Sequence, residues 1–455
     1  MRSSLGPILL GFLILYSGTA LAQTDTGTGD TGVPTQSGPK PAFTYPDATP
    51  SLDFLNGALE NSSITLGISG GVSYLNYGYN TINGTQDRWL YNVTPSIRIQ
   101  QFRPKLAWNA GYSGGLQYYT QPGNGRSSGN STYFYQSANG GFLWQMSPHW
   151  QMRGNTDFTH SANPFDSYLT IVGTPTQNNP NPVTYFPLTT FTQSRSFLTL
   201  SNRLTKVDTL TFTGTQNYRS TSTYNLLTSV PFYNLTSYGG QASYAHRFSP
   251  RLELGAGYLY NSLDFGSGQQ RSGIQTIEMT VDYLLRPNMS ISGWIGPEYT
   301  STKTVLFIPI LGQSITEHSS LWSTSVGANF GWQGIRNSFR ASFSRRVLDG
   351  GGITATSQVN ILRADYHRRL TSKMDLTAGA GYSHIVSITA TRRSFDSGTF
   401  NTSLDYKLAR SLVATVRYTY IRINQSNAFL NGVSNSNNNL VGVTISYSWS
   451  HPLGR

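Results

Sequence analysis

The sequence predicts an all-β fold, a transmembrane antiparallel β-barrel of about 18 strands, with 16 as the alternative count. Three observations support this prediction. Charged residues make up only 11% of the chain, under half of the roughly 25% usual for soluble domains. Apolar and polar residues alternate over long stretches, and short turns alternate with longer polar connections. No run of about 18 apolar residues occurs outside the extreme N-terminus, which excludes a helical membrane protein.

The N-terminus is typical of an exported protein. Residues 1–22 combine an early basic residue, an apolar stretch and the small-residue site Ala20-Leu21-Ala22, which together predict a cleaved signal peptide. Residues 23–60 are rich in Thr, Gly, Pro and Asp and predict a disordered periplasmic tail. The barrel is expected over residues 61–455. With no cysteine in the chain, disulfides contribute nothing to its stability.

The alternation is clearest in the last predicted strand. Val441, Val443 and Ile445 fall on one face, and Gly442 and Thr444 fall on the other. Successive side chains of a strand point to opposite sides of a sheet, so this pattern indicates one apolar and one polar face. The alternating stretches are long enough to cross a bilayer, which takes about 9–11 tilted residues. We therefore expect the apolar face to contact lipid and the polar face to line a lumen.

Eight short connections, most of them with a basic residue, predict tight turns. Eight turns join sixteen strands, and one further strand at each end gives eighteen. An even number places both termini in the periplasm. The connections lie around Arg103, His149, Lys206, Arg251, Arg286, Arg336, Lys373 and Arg410.

The intervening connections are longer and polar, and we expect them to be extracellular loops. Short periplasmic turns and longer extracellular loops are typical of outer-membrane barrels, as are aromatic girdles at both membrane interfaces. Trp144 and Trp449 near the turns, and Tyr118 and Tyr299 near the loops, are candidates for those girdles. The expected loops are residues 80–87, 121–131, 162–190, 222–234, 302–318 and 425–437.

The signal peptide, the repeated amphipathic hairpins, the basic turns and the terminal Tyr447-Ser448-Trp449 together resemble Gram-negative outer-membrane β-barrel proteins of the porin type. The resemblance covers residues 63–449. It implies insertion by the outer-membrane assembly machinery and contact with lipid and lipopolysaccharide. It leaves a homo-oligomer open and suggests that the third long loop, 162–190, folds into the lumen. The chain departs from the pattern because Ser450–Arg455 follow the terminal aromatic.

Charged residues on the inward-facing register are the candidate pore-lining set. Over the whole inward register ten cations stand against eight anions, which favours a slight anion preference. The alternative is that they pair across neighbouring strands and fill the lumen. The candidates are Arg98, Arg153, Arg195, Arg203, Arg219, Arg247, Glu278, Asp282, Arg340, Arg363, Asp405 and Arg417.

The best functional prediction is a porin-like channel for passive diffusion of small hydrophilic solutes. The alternative is a non-conducting surface barrel that serves adhesion, envelope structure or exopolysaccharide export. We expect no catalytic, cofactor or metal residues. The Gly-x-Ser-x-Gly matches at 67–71 and 111–115 fall within predicted strands, where a nucleophile elbow cannot form. Two histidines near loop ends, His160 and His384, are the only hint of a rim active site. The net charge of +12 is spread over the hairpins, which does not favour nucleic-acid binding.

Overall fold

The structure is a computed structural model. The predicted signal peptide, the tail and nearly all of the predicted loop 162–190 lie outside the residues that it describes. These residues are 62–79, 85–120, 131–161, 189–223, 234–266, 268–308, 313–350, 354–388, 394–425 and 435–453.

The described residues form eighteen strands of 12 to 21 residues. In chain order they are β1 (Ser63–Tyr79), β2 (Thr85–Arg103), β3 (Leu106–Tyr119), β4 (Ser131–Gln145), β5 (Trp150–Ser161), β6 (Thr189–Arg203), β7 (Asp208–Thr223), β8 (Leu235–Ser249), β9 (Leu252–Phe265), β10 (Gln270–Arg286), β11 (Met289–Ile308), β12 (Gln313–Gln333), β13 (Asn337–Gly350), β14 (Thr354–Arg369), β15 (Met374–Ser387), β16 (Ser394–Ala409), β17 (Leu412–Gln425) and β18 (Asn435–Pro452).

The sheet closes on itself. Each strand pairs antiparallel with its neighbours in the chain, and β18 pairs with β1 along its whole length, for example at Leu66 opposite Trp449. Closure pairs both edges of the sheet, so the backbone hydrogen bonds are satisfied without water. The prediction of eighteen strands is confirmed, and the alternative of sixteen is wrong. The eight predicted turns all fall between strands.

One predicted loop is wrong. Residues 302–318 were expected to be a loop because of their polar composition, yet β11 runs to Ile308 and β12 starts at Gln313. The two strands stay in register up to Ile308 opposite Gln313. Polar residues and apolar ones such as Val305 and Ile315 both belong to this paired hairpin. Composition alone does not separate such a hairpin from an irregular loop.

The outer surface is a band of exposed apolar side chains. On β10, Ile277 and Met279 are 60% and 71% exposed, whereas Glu278 between them is fully buried. A monomer in water rarely exposes apolar area on this scale, but a transmembrane barrel presents such a band to lipid. Trp144 and Trp449 near the turns, and Tyr118 near a loop, are exposed on the same face. The chain is therefore a transmembrane β-barrel, as the alternation predicted.

The longest interruption in the pairing of the described strands is at β13. Within the described residues β13 pairs with β12 only from Ser338 to Arg345, although β12 continues upward to Gln313. Beyond Arg345, β13 still pairs with β14, up to Gly350 opposite Thr354. The extracellular end of the β13–β14 hairpin has therefore left the wall.

No helix in the described part of the chain is long and apolar enough to cross a membrane.

Candidate functional site: the barrel lumen

Contacts between strands that are not neighbours identify the inner face of the barrel. The hydroxyls of Ser272 on β10 and Thr356 on β14 are hydrogen-bonded to each other, although three strands lie between them in the sheet. Two such strands can meet only across the interior. Ser272 shares its face of β10 with the buried Glu278, so the polar register points inward.

All twelve candidate pore-lining residues lie on this inward register. The assignment passes from strand to strand through the pairing, because residues directly opposite each other share a face. Glu278 lies opposite Gly257, Asp282 opposite Glu253, and Arg195 opposite Asp157. That they line a path for solutes stays a prediction. The other nine are Arg98, Arg153, Arg203, Arg219, Arg247, Arg340, Arg363, Asp405 and Arg417.

Several of the candidate charges have partners on the wall. Arg363 makes two hydrogen bonds to Asp365, at 2.7 Å from Nε and 2.9 Å from Nη2. Arg247 lies 3.6 Å from Glu253, and the Asp405 carboxylate accepts a hydrogen bond of 2.6 Å from Thr415. The two ion pairs neutralise part of the lumen charge. Arg247 and Glu253 lie on the neighbouring strands β8 and β9, so the expectation that inward charges pair across strands applies to this candidate.

The extracellular end of the β13–β14 hairpin lies inside the barrel. We call Arg346–Gly350 and Thr354–Ser357 the inner hairpin. On wall strands such as β10 buried and exposed residues alternate, but here consecutive side chains are buried: Arg346 and Val347 are 4% and 1% exposed, and Thr356 and Ser357 are both fully buried. Both faces of this segment are thus covered by other parts of the protein.

Polar contacts hold the inner hairpin against the opposite wall. Asp349 lies 2.7 Å from Nη1 of Arg219 on β7, and both side chains are buried. Arg346 pairs with Glu278 on β10. The Glu298 carboxylate on β11 accepts a hydrogen bond of 2.9 Å from the backbone N–H of Val347. Two ion pairs and a backbone contact therefore fix one strand of the hairpin to three wall strands.

Ser325 and Thr276 complete this network from the wall side. The hydroxyl of Ser325 donates to Glu278 at 2.8 Å, and that of Thr276 donates to Glu298 at 3.4 Å. Buried charges are tolerated when their remaining lone pairs find donors. The wall thus presents hydrogen-bonded carboxylates to the β13 strand of the inner hairpin, which carries Arg346.

Apolar packing supports the same docking. Val347 and Ala355 of the hairpin belong to a buried cluster that spans β8, β9 and β10, and the Arg346 guanidinium lies 4.9 Å from the Trp294 ring centroid. On the β15 side, Leu348 packs against a second buried cluster. The hairpin therefore narrows the lumen at this level. The wall members of the two clusters are Leu235, Leu263, Phe265, Ile274, Val359, Ile361, Ile385 and Phe395.

Sequence reasoning missed this element. It expected the third loop, 162–190, to enter the lumen, and nearly all of that segment lies outside the described residues. It also left Arg346 and Asp349 out of the inward set. One signal was present: Arg345 and Arg346 are adjacent, so a regular strand would place one arginine toward lipid.

The rim histidines and the two motif matches all lie on described strands. His160 lies 2.8 Å from the Thr192 hydroxyl, and His384 lies 2.8 Å from Asp396. The two Gly-x-Ser-x-Gly matches lie within β1 and β3, without the strand–turn–helix geometry that a nucleophile elbow needs. Among the residues that the structure describes, no three His, Asp or Glu side chains gather as metal ligands.

No protein-family model matches the sequence, and no curated protein matches it. Among solved structures the chain is similar to OccK7 (OpdD) of Pseudomonas aeruginosa, with 10% identity, 86% of this chain and 100% of that chain covered, and a TM-score of 0.43. It is also similar to OccAB4 of Acinetobacter baumannii, with 9% identity, coverage of 87% and 100%, and a TM-score of 0.41. P. aeruginosa OccK9 (OpdG) matches with 13% identity, the same coverage and the same TM-score. Function is not transferable at such identities, so the assignment depends on this chain's own residues.

Proposed function

We propose that the protein is an outer-membrane channel for passive diffusion of small hydrophilic solutes. The observation that carries the proposal is the closed eighteen-strand wall with apolar residues outside and polar residues inside. Barrels of 16–18 strands are wide enough for an aqueous channel, whereas about eight strands are filled by their own side chains. The inner hairpin narrows this lumen and sets the size of the solutes that pass.

The inward charges support a slight anion preference. Arg98 on β2 and Arg417 on β17 belong to the part of the wall that faces β9 and β10, where the inner hairpin docks. A solute path along this part of the wall would pass both guanidinium groups. Rings of basic side chains favour anions in membrane pores. We infer that small anions pass faster than cations of the same size.

The test is single-channel recording of the refolded mature protein in planar bilayers. Steady open levels in symmetric salt, with a reversal potential under a salt gradient on the anion side, are the expected result. Silence from a protein whose fold is verified by its heat-modifiable migration on gels would contradict the channel. Equal permeability of both ions would leave the channel and remove the anion preference.

A surface barrel that does not conduct is the second candidate, and the buried inner hairpin favours it. A hairpin with both faces buried is also expected in a barrel whose lumen is permanently closed. Its role would then be adhesion, envelope structure or exopolysaccharide export. Deletion of the gene would reduce surface polymer or attachment and leave uptake of small solutes unchanged. Slower solute uptake with normal surface polymer would favour the channel.

For either role we expect insertion by the outer-membrane assembly machinery and contact with lipopolysaccharide. The last strand supplies the terminal aromatic that the machinery reads, and Trp449 is exposed on the lipid face. Replacing Trp449 by Ala should slow assembly without altering the finished pore. Pulse-chase of the heat-modifiable form measures the rate, and Trp150→Ala, at the same rim, is the matched control.

A further inference from the structure

We propose that the inner hairpin is a movable gate, held closed by the ion pairs Arg219–Asp349 and Arg346–Glu278. The proposal rests on the proposed channel function and adds a second state to it. In the closed state the hairpin lies against β7–β11. In the open state it swings toward β15, and both ion pairs separate.

The way the hairpin is attached allows this movement. On the β13 side, pairing with β12 stops at Arg345 within the described residues. On the β14 side, pairing with β15 reaches Ser357 opposite Ser387. Within the described residues the hairpin is therefore joined to the wall ladder only at the base of its β14 strand, and its β13 strand is held by wall side chains. A ribbon fixed on one side can hinge without breaking the barrel.

The buried ion pair between Arg219 and Asp349 adds little net stability to the docked state. The Arg219 side chain is fully buried, and its nitrogens make no aligned hydrogen bond with the described residues; the contact with Asp349 is an ion pair only. Desolvation of a buried pair often cancels its Coulomb attraction. Opening would return four charged groups to water, so salt should favour the open state.

The contact between Ser272 and Thr356 offers a direct test. Their hydroxyls are hydrogen-bonded across the lumen, so cysteines at the two positions are close enough to form a disulfide that pins the hairpin to β10. The natural chain has no cysteine, which makes this the only disulfide that can form. Thr199→Cys with Thr213→Cys is the matched control, because those hydroxyls lie 3.1 Å apart on neighbouring wall strands.

The experiment records single channels of Ser272→Cys/Thr356→Cys before and after reduction. The gate predicts a complete loss of transitions to the larger open level in the oxidised protein and their return on reduction. The control pair should show the same transitions in both states. Mass spectrometry verifies the disulfide, and the reduced form of the same sample verifies the fold.

Unlocking is tested by Asp349→Asn, with Asp264→Asn as the control because that carboxylate pairs with Arg271 on the exposed surface. The gate predicts a higher open fraction for Asp349→Asn, rising further with salt. An oxidised lock that conducts and fluctuates like its reduced form overturns the gate and leaves the channel intact. Silence from the wild type, the reduced pair and Asp349→Asn alike overturns the channel itself.

Discussion

Arg219 on β7 and Asp349 on β13 lie 2.7 Å apart, both buried, although six positions in the barrel wall separate their strands. This distance shows that the extracellular end of the β13–β14 hairpin reaches across the lumen to β7. The contact joins two charged groups, each of which would be costly to bury alone. An unpaired buried charge is far more destabilising than a buried pair, so each residue depends on the other.

Asp349→Asn should lower the free energy of unfolding by as much as about 3–5 kcal/mol, the usual cost of removing one partner of a buried pair. Undocking of the hairpin would return Arg219 to water and reduce this cost. Urea unfolding in lipid vesicles, followed by tryptophan fluorescence, measures the change. The exposed pair Arg271–Asp264 supplies the comparison, since Asp264→Asn should cost only about 0–1 kcal/mol. Equal effects of the two variants would contradict the burial of Asp349.

Gly327 makes room for the ring on which Arg346 rests. A Cβ at this position would lie 2.0 Å from Cζ2 of Trp294, the residue directly opposite on β11. Gly327→Ala should therefore displace the ring and destabilise the barrel by about 1–3 kcal/mol, as overpacking does. Gly398→Ala is the matched control, because its Cβ would meet no atom within 4 Å. The two unfolding curves should separate clearly, and coincident curves would show that Trp294 adapts freely.

The wall could be predicted from the sequence because its determinants are local. Alternation over Val441–Trp449, for example, assigns each side chain to lipid or lumen whatever its neighbours are. The docking of the inner hairpin depends instead on partners that are remote in sequence, such as Arg219 for Asp349. Near Val347 the adjacent Arg345 and Arg346 indicate only an irregular strand, and they do not reveal which remote residues cover it. The sequence therefore predicted which residues face the lumen, but not that a hairpin narrows it.

The lipid face should reject charge where the lumen accepts it. Met279 is 71% exposed on the outer side of β10, four residues before Tyr283, which is exposed on the same face near the turn between β10 and β11. Met279→Lys should lower the free energy of unfolding in vesicles by about 2–4 kcal/mol if the site is near the midplane. The side chain of the next residue, Thr280, points into the lumen. Thr280→Lys should therefore lower the free energy of unfolding much less. A larger penalty at Thr280 would reverse the assignment of the two faces.

Arg417 and Arg422 on β17 separate the effect of a lumen charge from that of total charge. Arg417 lies on the inward register, opposite Gly442, whereas Arg422 lies on the outer register, where its Nε donates to Asn424 at 3.2 Å. Removing a unit charge near a passing ion changes its energy by about 1 kcal/mol in a water-filled lumen. Arg417→Gln should thus reduce the anion-to-cation permeability ratio by up to about fivefold, while Arg422→Gln leaves the ratio unchanged. Reversal potentials under a salt gradient measure both. A shift of equal size in the two variants would mean that surface potential, and not the lumen arginine, sets the preference.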